Sequence, residues 1–321
     1  ALDLAGQELG RCSGGVLTTV SSPGEFLELL EEIYRAARER LLDHFTADRP
    51  TLLGVGFGLP AYVDAGAGRV VSSTLFGVSD TEVAAPMAER LGIPVLIDND
   101  ANCVAWGELT PSAPSCLLTV LLRLHRDRAG RRLPSGAGIG LGVVVHGQLH
   151  YGHDFAAGEF RSIDWRASYS GQLAEDDWIP ERQPESREDT ASPDGEGVRR
   201  DPRTAHGTRE MVRELLANLS VPISILRPER VAYAGNLLEM SDVVSAVLED
   251  ELRDRYVNPE VSGCPIVPAR SGYGAVAVGA GAMFLERVFA VPALGTERPS
   301  GVPSWQELLG GLRSAAEGAN L

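Results

Sequence analysis

Apolar residues recur at helical spacing through Phe26, Leu29, Leu30, Ile33, Tyr34 and Ala37, directly after Ser22-Pro23-Gly24-Glu25. Ser22 fits an N-cap, Pro23 the first helical position and Glu25 the far side of a capping box, so a helix is expected here. Residues 52–59 are almost wholly apolar but interrupted by Gly54, Gly56 and Gly58. That is the pattern of a buried strand which another backbone approaches closely, and 70–73 reads as its partner strand. A helix from Asp80 carries Val83, Met87 and Leu91 on one face and stops at Gly92, after which 93–97 forms a short buried strand. Strands at 116–124 and 139–146 flank a basic, turn-rich excursion at 126–134, and Gly147-Gln148 turns the chain into 149–151. Residues 174–207 hold almost no apolar side chains and read as a long polar loop. A helix follows through Met211, Leu215, Leu216 and Leu219, with a bend expected at Pro222. Then come a strand at 230–234, a helix at 243–252, a strand at 265–267, a glycine- and alanine-rich helix at 274–289 and a weak amphipathic helix at 305–316. Strands and helices alternate, which predicts an α/β protein.

With 321 residues the chain is long enough for two domains. The pattern divides it into a smaller N-terminal lobe at 1–108, a larger lobe at 109–290 and a tail at 291–321. Its 44% apolar and 23% charged residues are ordinary for a globular protein. No apolar run reaches bilayer length and no signal-like N-terminus is present, so the expected location is the cytoplasm, with no membrane partner. Cys12, Cys103, Cys116 and Cys264 are scattered and form no CxxC pair, which reads as free buried thiols. A net charge of -15 disfavours nucleic acid on the general surface.

Three runs carry candidate chemistry. In Asp98-Asn99-Asp100-Ala101-Asn102 a buried strand ends in clustered polar groups before a small-residue helix, a place where ligands collect. A carboxylate there accepts a hydroxyl proton while a neighbouring amide fixes the hydroxyl; the same Asx residues also serve as helix caps. Ser135-Gly136-Ala137-Gly138-Ile139-Gly140-Leu141-Gly142 opens a strand and offers backbone N–H groups to an anion, though glycine alternation equally serves strand packing. Ala156-Ala157-Gly158-Glu159-Phe160-Arg161-Ser162 sets an acid beside small residues.

In order and spacing these runs resemble the ROK family of bacterial sugar kinases and sugar-responsive repressors. The likeness continues through Gly54-Val55-Gly56-Phe57-Gly58-Leu59-Pro60, the Gly147 hairpin, Asn218-Leu219 and the stretch from Arg227 to Gly235-Asn236. It implies an actin-like ATPase (ribonuclease H-like) fold with two mixed-sheet lobes and a sugar cleft between them. By the same resemblance Asp100 would be the catalytic base. Asn99, Asp100 and Glu159 would bind the sugar, Gly136, Gly138 and Gly140 the phosphates, and Gly235 the nucleotide side. ATP and Mg²⁺ would be the partners of a kinase.

Four departures from the family pattern redirect the expected function. Ser162 stands where the family has a histidine, and the cysteine-rich zinc segment is missing, so no zinc or other metal is expected; His146, His150 and His153 read as exposed polar residues. Asp3-Leu4-Ala5-Gly6-Gln7 fits a turn between strands better than a phosphate loop, which places the first strand upstream of Ala1. Arg123, Arg126, Arg128, Arg131 and Arg132 decorate a solvated hairpin. The expected function is the effector-binding and oligomerising part of a carbohydrate-responsive ROK transcriptional regulator. It would take a sugar or sugar derivative, contact DNA only through a module upstream of Ala1, and form a homodimer or homotetramer. The alternative is an ATP-dependent sugar kinase using Asp100 as general base.

Overall fold

A computed structural model describes residues 1–14, 20–42, 51–109, 114–126, 132–166, 171–174, 202–249 and 264–289. The chain divides into two units, one of Ala1–Ala113, Leu149–Ala157 and Gly274–Leu321, the other of Pro114–Gln148 and Gly158–Tyr273. These are not the segments 1–108 and 109–290 read from the pattern. The glycine- and alanine-rich helix expected in the larger lobe belongs to the first unit, for a packing reason given below.

The first unit opens with a tight turn at Asp3–Gln7: Leu2 pairs with Glu8, and the Asp3 carboxylate accepts from the Ala5 and Gln7 amides. Helix α1 (Pro23–Leu42) starts as its residues dictate, with the Ser22 hydroxyl accepting from the Glu25 amide and the Glu25 carboxylate accepting from the Ser21 amide. It buries Phe26, Leu29 and Leu30. Strand β1 (Val55–Leu59) pairs in parallel with β5 (Val95–Asn99). The expected partner of β1, around 70–73, instead lies in β3 (Arg69–Ser73), the middle strand of an antiparallel meander with β2 (Tyr62–Asp64) and β4 (Val78–Glu82). Short turns favour that local meander. Helix α2 (Ala84–Leu91) ends on Gly92 in the left-handed conformation, and α3 (Asp100–Glu108) follows β5 without a break.

Helix α6 (Ala275–Phe289) explains the glycines of the 52–59 run. A Cβ on Gly54 would lie 2.2 Å from the Phe284 ring, on Gly56 2.2 Å from the Ala280 carbonyl oxygen, and on Gly58 2.5 Å from Val276. Alternate strand positions thus meet helix positions four apart, so one face of β1 has no side chains and α6 lies in the space. The same helix presses on α3, where a Cβ on Gly279 would lie 1.6 Å from the Cys103 carbonyl oxygen.

The second unit is built on a mixed sheet in the order β10-β9-β6-β7-β8. Strands β6 (Leu117–Arg126) and β7 (Arg132–Val145) form a long hairpin, β8 (Gln148–Leu149) follows at the edge, and β9 (Arg230–Gly235) runs parallel to β6 and to β10 (Ile266–Pro268). Within the basic excursion Arg126 pairs with Arg132, while Arg128 and Arg131 lie outside the described residues. Helix α4 (Pro202–Leu226) begins inside what was expected to be a polar loop to 207 and runs through Pro222 as one element. Proline at a first helical position has no N–H to leave unsatisfied, which suits Pro202 to start the helix; residues 175–201 lie outside the described residues. Met211, Val212, Leu215, Leu216 and Leu219 of α4 join Val120, Leu122, Ile139, Val231 and Tyr233 in the core, with Val244 and Val247 of α5 (Ser241–Val247). The expected tail helix at 305–316 lies outside the described residues. Among those described, no helix is long and apolar enough to cross a membrane.

Candidate functional site

The junction of β5 and α3 concentrates polar groups inside the first unit. β5 is buried at Val95, Leu96 and Ile97, so the strand delivers Asp98, fully buried, and Asp100, 6% exposed, at its end. Asn99 between them is the N-cap of α3: its side-chain oxygen accepts from the Ala101 amide at 2.8 Å and the Asn102 amide at 3.2 Å. Its side-chain nitrogen donates to the Ala61 carbonyl at 2.9 Å. Asn99 thus fulfils the capping reading of the motif, and the geometry that caps the helix also fixes the amide beside Asp100. Asp100 is the first residue of α3, where the helix dipole favours a negative charge.

Asp98 proves to be the hub. Its Oδ1 accepts from the Asn99 backbone N–H at 2.8 Å and from Asn102 Nδ2 at 3.0 Å. Its Oδ2 accepts from the Tyr151 hydroxyl at 2.7 Å and the Trp106 indole N–H at 3.2 Å. Arg287 Nη2 stands 3.9 Å from Oδ2 and donates to the Tyr151 hydroxyl at 2.7 Å, while Nη1 donates to the Ala65 carbonyl at 2.9 Å. Burial pushes the Asp98 carboxyl up from its ordinary range. The Tyr151 hydrogen bond, the Arg287 charge and the Asn102 and Asn99 donors pull against that rise. The Tyr151 phenol is likewise raised, first by burial and then by the neighbouring Asp98 charge. Asn102 Oδ1 is buried without a hydrogen-bond partner.

The other candidate residues belong to the second unit. Glu159 is exposed, in an isolated antiparallel bridge with Gly140. Gly158 before it adopts φ 93°, and a Cβ there would lie 1.9 Å from the Leu141 carbonyl oxygen, so only glycine lets this segment run along β7. Gly136, Gly138 and Gly140 lie within β7 rather than in an open loop, and this corrects the expectation of free amides at Gly138 and Gly140. The Leu141 N–H donates to the Gly158 carbonyl and the Ile139 N–H to the Gln172 side chain. By strand alternation the Gly138, Gly140 and Gly142 amides face β6. Phosphate donors at 138–142 are therefore engaged in the sheet, and the residues as placed do not fit a phosphate held by these amides. Gly235, at φ 71°, brings the end of β9 against Leu122, where a Cβ would lie 2.1 Å from the carbonyl oxygen.

Ser162, where the resemblance would put a histidine, is 5% exposed and bound within the unit. Its hydroxyl accepts from the Asp164 amide and from Asn218 Nδ2, and Asn218 Oδ1 accepts from the Ile163 amide. His146, His150 and His153 are exposed. Of the four cysteines only Cys103 is buried; the other three are half-buried, so the buried-thiol expectation holds for one. Among the described residues no group of three or more His, Cys, Asp or Glu is arranged to hold a metal ion.

Tyr151, Trp106 and Arg287 carried no signal in the sequence. Tyr151 and Arg287 are separated from each other by 136 positions and Tyr151 from Asp98 by 53, and no local pattern links them. The one available hint was the aspartate itself, at the end of a wholly apolar strand.

Residues 28–161 match the model of the ROK family. The chain is 29% identical over 128 residues to a glucokinase of Halalkalibacterium halodurans, a match that covers 40% of this chain and 36% of that protein. It is 31% identical over 109 residues to an N-acetyl-D-glucosamine kinase of Aliivibrio salmonicida, covering 33% of this chain and 32% of that one. The matches therefore span about a third of the length of these relatives. In structure the chain is similar to a ROK family glucokinase from Streptomyces griseus in complex with glucose and AMPPNP, with TM-score 0.60, 16% identity, and 83% of this chain and 89% of that chain covered. It is also similar to a ROK family transcriptional regulator, a homolog of the E. coli MLC protein, with TM-score 0.55, 18% identity, and 82% and 68% covered. The fold is thus the actin-like ATPase fold of ROK sugar kinases.

Proposed function

From the match of residues 28–161 to the ROK family model, we propose that this chain binds a carbohydrate effector at the Asn99–Asp100 turn and serves as the sensing part of a ROK-type regulator. Sensing requires only that the sugar bind two arrangements of the protein with different affinity, and no group has to be transferred. The observation that carries this reading is the state of the glycine run. The amides of Gly138 and Gly140, which the resemblance assigns to phosphate together with Gly136, face β6, and those of Ile139 and Leu141 are engaged with Gln172 and Gly158. The hydrogen-bonded Ser162 in place of the family histidine points the same way. Within the first unit the Asn99 amide and the Asp100 carboxylate are the proposed ligands of sugar hydroxyls; Glu159, in the second unit, is a separate proposed sugar ligand. DNA contact and self-association belong to the same proposal.

A second reading, an ATP-dependent sugar kinase, is favoured by the placement of Asp100. A carboxylate buried at a helix N-terminus beside a fixed amide is suited to accept a hydroxyl proton, and the relatives named above include kinases. Calorimetry with glucose, N-acetyl-D-glucosamine and a wider sugar panel, run beside a coupled ADP-release assay, separates the two. Binding without ADP release is the result expected. Sugar-dependent ADP release that disappears in Asp100→Asn would overturn the sensor reading.

A further inference from the structure

We propose that Tyr151 is a positioning residue for the sugar site: its hydroxyl, held by Arg287, locks Asp98, and Asp98 in turn holds the turn that presents Asn99 and Asp100. This deepens the carbohydrate-binding reading above and rests on it for the ligand.

The connections form an unbroken path from α6 to the head of α3. Arg287 donates to the Tyr151 hydroxyl, and that hydroxyl donates to Asp98 Oδ2. The opposite oxygen of the same carboxylate accepts from the Asn99 backbone N–H and from Asn102 Nδ2. Asn99 Oδ1 then caps the helix through the Ala101 and Asn102 amides. Rotation of the Asp98 carboxylate would release Asn99 at its own amide and disturb the helix turn that carries Asp100. Tyr151 and Trp106 fix that rotation from the far side, and Trp106 Nε1 also reaches the Tyr151 hydroxyl at 3.4 Å.

Stability alone does not account for such a cluster. A fully buried carboxylate has a desolvation cost that apolar residues of similar volume avoid, and replacing buried ionic groups by such residues is often neutral or stabilising. The cluster even leaves Asn102 Oδ1 buried without a partner, because Asn102 turns its nitrogen to Asp98. What the cluster supplies is orientation: two elements distant in sequence fix one carboxylate, and that carboxylate sits one residue before the candidate sugar ligands.

Tyr151→Phe isolates the hydroxyl, since phenylalanine keeps the ring contact with Phe155 and the face offered to Arg287. Two measurements are made on the intact chain. In ¹H–¹⁵N spectra without sugar, the Asn99 amide and the Trp106 indole should shift and exchange faster in Tyr151→Phe, by about ten- to a hundredfold for the Asn99 amide, while amides of β6 and β9 stay as in the wild type. By calorimetry, the affinity for whichever of glucose or N-acetyl-D-glucosamine the wild type binds should fall about tenfold or more. Arg287→Met should move both readouts in the same direction, and Arg287→Lys should recover part of each, which keeps the idea testable should either variant fold poorly. A folded Tyr151→Phe with unmoved Asn99 and Trp106 signals, or with wild-type sugar affinity, would overturn the proposal. If the wild type binds no sugar, the functional reading fails, and the spectra still decide whether Tyr151 positions the turn.

Discussion

Replacing Gly279 by alanine sets two physical effects against each other in the same helix. Alanine in a helix interior is favoured over glycine by about 1 kcal/mol, so propensity alone predicts a more stable protein. In α6, however, the new Cβ would lie 1.6 Å from the Cys103 carbonyl oxygen, 2.4 Å from its carbon and 3.0 Å from the Gly107 nitrogen. All three are backbone atoms of α3, so no rotamer change can relieve the clash. An ordinary carbon–oxygen contact needs about 3.3 Å, so the two helices must separate by roughly 1.7 Å. Overpacking of this kind costs about 1–3 kcal/mol, and with backbone on both sides the upper end applies. The net loss expected is about 2 kcal/mol, a fall of about 4–8 °C in Tm followed by circular dichroism. Because α3 begins at Asp100, the sugar affinity proposed above should fall with it. Gly281→Ala is the control on the same helix: its Cβ meets the flexible Leu2 side-chain end at 2.7 Å, which can swing away, so propensity should prevail and stability hold or rise. A Gly279→Ala protein as stable as the wild type would refute the close-packing account of the α3–α6 contact.

Two further outcomes follow, one from the site and one from the second unit. Burial raises the folded-state pKa of Asp98 above its ordinary value of 3.8, so the native state holds this proton more tightly than the unfolded one. Its contribution to stability is present in full below the unfolded pKa and lost as pH rises through the folded one. The stability of the wild type relative to Asp98→Asn should therefore decline with rising pH across that window; urea titrations showing a flat or rising difference would contradict it. Asn218→Ala should cost about 2 kcal/mol in urea unfolding, since it strands the Ile163 amide and removes the donor to Ser162 and the Glu214 carbonyl. An unchanged midpoint would show that the segment after Glu159 is not held by α4.

The pattern of apolar and polar positions was enough to mark α1 and its cap, the buried β5, the Gly92 stop and the β6–β7 hairpin, because each rests on forces acting within a few residues. The motif at 98–102 was legible for the same reason: a wholly apolar strand ending in three polar residues is a local statement. The partner of β1 was not legible, since strand pairing depends on which chain segments meet in space, and the meander of β2, β3 and β4 claimed the expected strand. The run 136–142 allowed two readings, because glycines that suit an anion loop also suit a strand approached closely by Gly158, and only the register of β6 against β7 decides where the 138, 140 and 142 amides go. Residue type and order along the chain thus determined that Asn99 and Asp100 stand at a strand-to-helix junction in a ROK-like α/β protein. That Asp98 is the buried centre of that junction, gripped by Tyr151, Trp106 and Arg287, was decided by tertiary structure alone. Hydrogen bonds between residues as far as 136 positions apart exist only after α6 has settled onto the bare glycine face of β1.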